Sequence, residues 1–356
     1  MQSHPAASVA AAPESLPVAL GCDCDPDRRS FGGPDYRSDD LSWQGNAVGI
    51  ERFRRAREAF YRRTGHWPRM TWFVRADHQV ARIHGDAGHC LRAQVELWRA
   101  LEAEGDEIAW HPHLWARSDE RGWYQSIGDD EFTRACLATG FPGFGEAWGR
   151  APRAVHMGWC YHDNASMAFL ADKGVAVDCS AVPGHNTLGA APVDQSDWST
   201  TPTHPYRPAC ADYRRPAAAG EADLPILELP ASVGDHLALR LLKSAAYCVR
   251  QGKLFVRPGR FAHQVPMIAM RPAIARRLGR DALRRHSGTS GRYFFSYCHS
   301  DEFLPADNSS AGAARLYRLD HVFANLEHLA RLSDRLGLLP QFVTVSELAN
   351  LRPAAA

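Results

Sequence analysis

The sequence has no uninterrupted apolar run approaching the ~18 residues a membrane helix requires, which argues against a helical membrane span. Residues 1–15 are small and polar and lack a basic segment leading into an apolar one, so they do not read as a secretory signal. They are expected to form a disordered tail on a cytoplasmic protein. An excess of charge of either sign is also missing: 41 Lys and Arg stand against 40 Asp and Glu, for a net charge of +1. A protein whose affinity comes from a basic phosphate-binding face is thereby disfavoured, and neither nucleic acid nor membrane is expected as a partner. The nine cysteines, at 22, 24, 90, 136, 160, 179, 210, 248 and 298, are odd in number and lack paired zinc-finger spacing. Reduced thiols in a reducing compartment fit this pattern better than a disulfide framework. Internal repeats are absent as well.

What is present is 356 residues, 45% hydrophobic and 23% charged, enough for one large domain or two modest ones with a true core. Strand-like and helix-like stretches alternate. The pattern predicts strands at 16–24, 70–74, 107–110, 175–178, 293–298 and 342–345, and helices at 49–64, 90–105, 132–139, 164–173, 313–336 and 346–351. This alternation implies a parallel sheet or barrel whose functional groups gather at the C-terminal strand ends. Residues 184–222, rich in Pro, Thr, Ser, Asp and Tyr, read as a long surface excursion. Residues 236–290 read as a basic, helix-prone insertion (helices at 237–249 and 271–285), so the barrel would comprise 16–235 and 291–351.

Two dyads carry the chemistry. Asp23-Cys24-Asp25 and His111-Pro112-His113 each place two ligand-type side chains at i and i+2 beside an apolar stretch. In extended backbone such residues point to one side, so each pair is aimed together while Cys22 and Cys24 are turned away. Two carboxylates and two imidazoles converging at strand ends would make a site for a divalent metal with a carboxylate left over to act as base. The competing reading is an acidic turn and a pair of backbone-capped histidines. Eight of the ten tryptophans, at 43, 72, 110, 115, 123, 148, 159 and 198, are mostly accounted for by core packing, with Trp115, Trp159 and Trp198 left as candidates to stack on a sugar ring. The arginine-rich run at 271–285 reads first as a solvated helix face.

The ordered set Leu-Gly-Cys-Asp23-Cys-Asp25, Gly-Asp-Glu107-Ile-Ala-Trp-His111, Gly158-Trp159, Gly174-Val-Ala-Val-Asp178-Cys-Ser, Tyr-Cys-His299 and Leu336-Gly-Leu-Leu-Pro-Gln-Phe-Val-Thr344-Val-Ser-Glu347-Leu resembles the polysaccharide deacetylases of carbohydrate esterase family 4, with the nodulation-deacetylase-type homology domain. The resemblance spans most of the chain and marks a divergent member. It implies a distorted (β/α) barrel of about seven strands holding one divalent metal ion, zinc first and iron, cobalt or nickel as alternatives. By position in the family motifs, Asp23 maps to the general base, Asp25 and His111 to metal ligands, and His299 to the acid that protonates the leaving amine.

The departures from the pattern are specific. The second metal histidine of the family stands four residues after the first, where this chain has Trp115, so His113 is the candidate third ligand. The arginine that orients the base is replaced by His156, and the proline-tyrosine pair by Gly158-Trp159. An imidazole lacks the fixed charge and forked donors of a guanidinium, so the base would be tuned differently. Asp178, or Asp197 with Trp198, is the candidate compensation. Together with Trp115, His156 and Trp159, Asp178 and Trp198 form the expected substrate-facing set.

The implied activity is metal-dependent hydrolysis of an N-acyl group, N-acetyl first, on an amino sugar or sugar-like small molecule, with a small molecule or oligosaccharide as the binding partner. The alternatives are a non-carbohydrate amidase or cyclic amidohydrolase on the same scaffold, and a non-catalytic carbohydrate-binding protein.

Overall fold

The apolar run that ends in the acidic dyad becomes the central strand, β1 (Glu14–Cys24), buried from Leu16 onward. The computed structural model describes residues 14–27, 39–186, 196–235, 268–285, 292–305 and 317–351, with the single positions 237, 238, 241 and 245. After β1 come α1 (Ile50–Thr64), β2 (Met70–Arg75), α2 (His78–His84), α3 (His89–Ala93), α4 (Val95–Ala103) and β3 (Glu107–His111). A hairpin of β4 (Trp115–Ser118) and β5 (Gly122–Gln125) leads to α5 (Asp130–Trp148), β6 (Ala154–Val155), α6 (Asn164–Asp172) and β7 (Val177–Asp178). β8 (Pro208–Ala209), β9 (Asp212–Pro216), β10 (Leu227–Glu228), α7 (Pro272–Arg285), β11 (Phe294–His299), α8 (Leu319–Arg335), β12 (Leu338–Val343) and α9 (Val345–Leu351) complete the order.

Seven strands form one parallel sheet in the order β10-β7-β6-β3-β2-β1-β11, and β12 joins it by pairing with the first half of β1. Parallel neighbours need long crossovers, and helices packed on the sheet supply most of them here. The sheet curls into an incomplete barrel, as expected for the distorted (β/α) architecture of about seven strands.

Register sets the level of each strand end. Asp23 lies opposite His299 on β11 and Phe73 on β2, and Arg75 lies opposite His111 on β3. The polar residues that end β1, β2, β3 and β11 therefore stand at one rim. Side chains below them close the core: Phe53 of α1 meets Trp72 edge-on at 5.4 Å and stacks on Phe303 at 5.2 Å, and Phe323 of α8 reaches Phe53 and Phe60, each at 5.4 Å. α1 buries Ile50, Phe53, Arg57 and Phe60, one face at helical spacing, and ends at Gly65 in the left-handed region (φ 73°).

Several elements differ from expectation. The helix expected over 90–105 is two, broken at Gln94, whose φ/ψ of −131°/31° lie outside the helical region. The helix expected to end at 139 runs on through Pro142 to Trp148, while α2, the β4–β5 hairpin and the two-residue strands β6 and β10 had no periodic signal to betray them. α8 begins at Leu319, and the earlier start at 313–316 lies outside the described residues. The excursion contains the β8–β9 hairpin, with 187–195 outside the described residues. α7 bears out the helix expected over 271–285; of the tail expected over 1–15, Glu14 and Ser15 belong to β1, while residues 1–13 and most of 237–249 fall outside the described residues. Among the described residues no helix is long and apolar enough to cross a membrane, and the eight cysteines are free thiols, seven of them buried and Cys210 exposed.

Candidate metal centre

The rim gathers both dyads. Asp23, Asp25, His111 and His113 are 1–6% exposed, and Cys22 and Cys24, turned to the opposite side of β1, are fully buried in the core. Nε2 of His111 lies 3.2 Å from Nε2 of His113 and 3.4 Å from Oδ2 of Asp25, while Nε2 of His113 is 3.2 Å from Oδ1 of Asp25. Donors bonded to one zinc-type ion at ~2.0–2.1 Å in a tetrahedral arrangement stand about 3.3–3.4 Å apart, so these three side chains have the spacing of a ligand set. A second grouping of Asp23, His111 and His156 also comes together. It fits less well, because Nδ1 of His111 donates to the carbonyl oxygen of His156 and is thereby occupied. The same bond fixes the tautomer that leaves Nε2 of His111 with its lone pair toward Asp25 and His113.

His113 reaches this position because the backbone after β3 stays extended. His156 N–H donates to the Trp110 carbonyl at 3.1 Å and Gly158 N–H to the Pro112 carbonyl at 2.8 Å, continuing the pairing past the end of the strand. The His113 N–H donates to Oδ2 of Asp77 at 3.2 Å, and Oδ1 of Asp77 accepts from Val80 N–H to cap α2. The ring of His113 then lies between Trp115, nearly parallel at 5.8 Å and 11°, and the backbone of Gly158. A Cβ at Gly158 would stand 2.2 Å from the imidazole ring, so glycine is required here by close approach. We expect Gly158→Ala to displace His113 and weaken ion binding by at least about tenfold, the scale of a lost ligand-supporting contact; competition against a chromophoric chelator reads this directly, and an unchanged affinity would refute the packing argument.

Electrostatics sort the roles. Burial pushes Asp25 up, but His113 and His111 beside it outweigh burial and hold its carboxyl well below the ordinary range. Burial, followed by the charge of Arg75, pushes His113 down to about 4, so at neutral pH it is an imidazole with a lone pair to share. Asp23 is likewise held low: burial opposes ionisation, and His156, His111 and His299 overcome it. Its Oδ1 lies 2.9 Å from Nδ1 of His156, and its Oδ2 lies 3.8 Å from Nε2 of His299. Burial disfavours a charged His156, yet Asp23 overrides it and raises the imidazole well above its usual value, so Asp23 is paired with an imidazolium. Nδ1 of His299 in turn lies 3.5 Å from Glu302.

The remaining expected residues separate. Trp159 is partly exposed beside Trp115 and Trp123, and it and Cys160 adopt left-handed φ of 59° and 52°, a strained turn that holds the 158–160 loop against the metal-ligand candidates. Trp115 is 1% exposed and backs His113. Trp198 and Asp178 are fully buried and do not join the rim. The indole of Trp198 donates to the Cys160 carbonyl at 2.8 Å, which holds the strained turn from beneath. Asp178 belongs to a buried polar chain: Oδ2 lies 3.0 Å from Nε2 of His162, whose Nδ1 is 3.0 Å from Oγ of Ser166.

Glu228 completes that chain. Burial and the neighbouring Asp178 raise it well above the carboxylate range, so it keeps its proton at neutral pH, while Asp178 is held low: burial opposes this, but His162 and hydrogen bonds from Glu228, His162 and Ser180 overcome it. An acid raised in the folded state binds more protons there than when unfolded, so its contribution to stability falls as pH rises above about 4.3. Glu228→Gln keeps the donor without the charge and is expected to hold stability within about 1 kcal/mol at pH 7, with its advantage over the parent growing toward pH 9. Urea midpoints at pH 5, 7 and 9 test this, and a deficit that grew with pH would reverse the protonation assignment.

Sequence reading missed Arg75, Asp77 and Gln79, which surround Asp25 and His113, and Glu302 behind His299. One signal was available for Arg75: a cation ending the otherwise apolar run of β2, where burial is costly without partners.

Comparison with solved structures fits this barrel. A candidate glycoside hydrolase/deacetylase from Parabacteroides distasonis matches at a TM-score of 0.57 with 13% identity, over 96% of this chain and 71% of that one. The chain shares that fold. Candidate polysaccharide deacetylases from Mycobacterium smegmatis (TM-score 0.48, 19% identity, 99% and 95% of the two chains) and Pseudomonas aeruginosa (0.49, 13%, 94% and 90%) also align. No family model and no curated protein matches the sequence. The architecture is thus the one the motif order implied, while the roles of the rim residues rest on their geometry.

Proposed function

We propose that this protein is a metal-dependent hydrolase that removes an N-acyl group, N-acetyl foremost, from an amino sugar or sugar-like small molecule. The observation that carries this reading is the convergence of Asp25, His111 and His113 at 3.2–3.4 Å with the carboxylate of Asp23 alongside. Residues Asp25, His111 and His113 would hold one divalent ion, zinc foremost, which when bound supplies a Lewis acid for the acyl oxygen and an acidified water. The printed name of the aligned Parabacteroides distasonis structure, a candidate glycoside hydrolase/deacetylase, is compatible with a deacetylase reading.

The chain's own groups then divide the proton work. Asp23 is ionised and takes the proton of the attacking water on Oδ2, since Oδ1 is held by His156. The His156 imidazolium fills the place where the family pattern has arginine, orienting the base through one ion-pair contact where a guanidinium would offer a fork. His299, 22% exposed at the side chain and aligned by Glu302, stands on the open side of Asp23 and delivers a proton to the departing nitrogen. Trp159, partly exposed on its rigid turn, is the aromatic surface placed to meet a sugar ring.

The test is elemental analysis of purified protein followed by acetate release from N-acetylated sugars set against simple amides. One ion per chain and release from the sugars support the proposal. Activity confined to amides would favour the amidase alternative, and the absence of any bound transition metal would remove the hydrolase reading.

A further inference from the structure

Asp25 is gripped from behind by a residue that no motif anticipates. Arg75 ends β2 with its side chain fully buried and uses three different nitrogens on three partners: Nη1 donates to Oδ1 of Asp25 at 3.1 Å, Nε to Oδ2 of Asp77 at 2.5 Å, and Nη2 to Oε1 of Gln79 at 3.0 Å. A buried cation this close to the place of a metal ion repels that ion, so its presence calls for an offsetting role. Asp77 supplies the neutralising charge and also accepts from the His113 N–H, so one cluster touches two of the three ligand candidates.

We propose that Arg75 is a positioning residue of the metal centre, holding Asp25 through Oδ1 so that the carboxylate meets the ion through one oxygen only. This rests on the metal reading above. Single-oxygen ligation keeps the coordination number low, which suits zinc or cobalt and disfavours magnesium and calcium, ions that demand six or more oxygens. The guanidinium is suited to the task because its planar fork satisfies three acceptors in fixed directions; a lysine ammonium is a single point that cannot span them.

The experiment compares the full chain with its Arg75→Lys and Gln79→Met variants, each stripped of metal and checked for fold by circular dichroism. Zinc affinity is then measured by chelator competition, and coordination by the visible absorption of the cobalt-substituted forms. We expect Arg75→Lys to lose about 10–100-fold in zinc affinity, with weaker cobalt absorption as Asp25 becomes free to ligate through both oxygens, and Gln79→Met to shift both readings in the same direction by less. Affinity and spectrum unchanged in a folded Arg75→Lys variant would overturn the proposal while leaving the metal reading intact. Failure of both variants to fold would assign Arg75 to the fold and overturn it too. Absence of zinc binding by the parent protein would instead defeat the metal reading, and this inference with it.

Discussion

Asp23→Asn is expected to retain the metal ion and lose turnover by about 10²–10⁴-fold, the range for removal of a positioned general base. Asparagine keeps the size of the side chain, and Asp23 stands outside the set of Asp25, His111 and His113 whose donors have ligand spacing. The loss should appear in kcat with little change in KM, since the proton is transferred only in the transition state. The pH profile gives a second check. Asp23 is held below the ordinary carboxylate range, so the parent's activity should persist under mildly acidic conditions and fall only as pH drops through that lowered value. An Asp23→Asn protein with retained turnover would sink the base assignment, and one that lost its metal would move Asp23 into the ligand set.

The second large effect is on stability. Arg57, fully buried on α1, directs Nη1 to both carboxylate oxygens of Asp106 at 2.7 Å, pairs with Glu104 and lies over the Trp67 ring at 4.5 Å. Asp106 also accepts from Met70 N–H at 3.0 Å and Trp72 Nε1 at 2.9 Å, so the pair ties α1 to the start of β2 and β3. Arg57→Met should cost about 3–5 kcal/mol, because it leaves a buried carboxylate without its cation. Burial already holds Asp106 above its usual range even with Arg57 present. Removing the cation raises it further, so the deficit should be smallest near pH 4 and widen toward pH 8, as Asp106 ionises in the folded parent while the folded variant keeps its proton. Urea midpoints at those two pH values measure it, and recovery by adding Asp106→Asn would confirm that the stranded charge is the cause. A variant as stable as the parent would show the pair to be dispensable.

Much of the site was legible in the chain. Alternation at i and i+2 aimed Asp23 and Asp25 one way and His111 and His113 another, and the structure brings all four to one rim. His113 was the doubtful member, two residues from His111 where four were expected, and its placement came from elements with no pattern of their own: the extended pairing to residues 156–158 and the Asp77 carboxylate on its N–H. Trp198 and Asp178 show the converse. Both residue types suit a sugar site, yet they lie under the surface, one bracing the strained turn at Trp159 and Cys160 and the other in a proton-sharing chain with His162 and Glu228.

The sequence by itself determined the alternating architecture, the strand-end location of both dyads and the lack of an apolar run long enough for a membrane helix, since each follows from local periodicity and composition. Tertiary structure alone decided which donors meet at 3.2–3.4 Å, that His156 is the ion partner of Asp23, and that Arg75 stands behind Asp25. These depend on the register between parallel strands, which brings residues 50 or more positions apart to one level. No local propensity encodes that register, because it is set by how the whole sheet buries its faces.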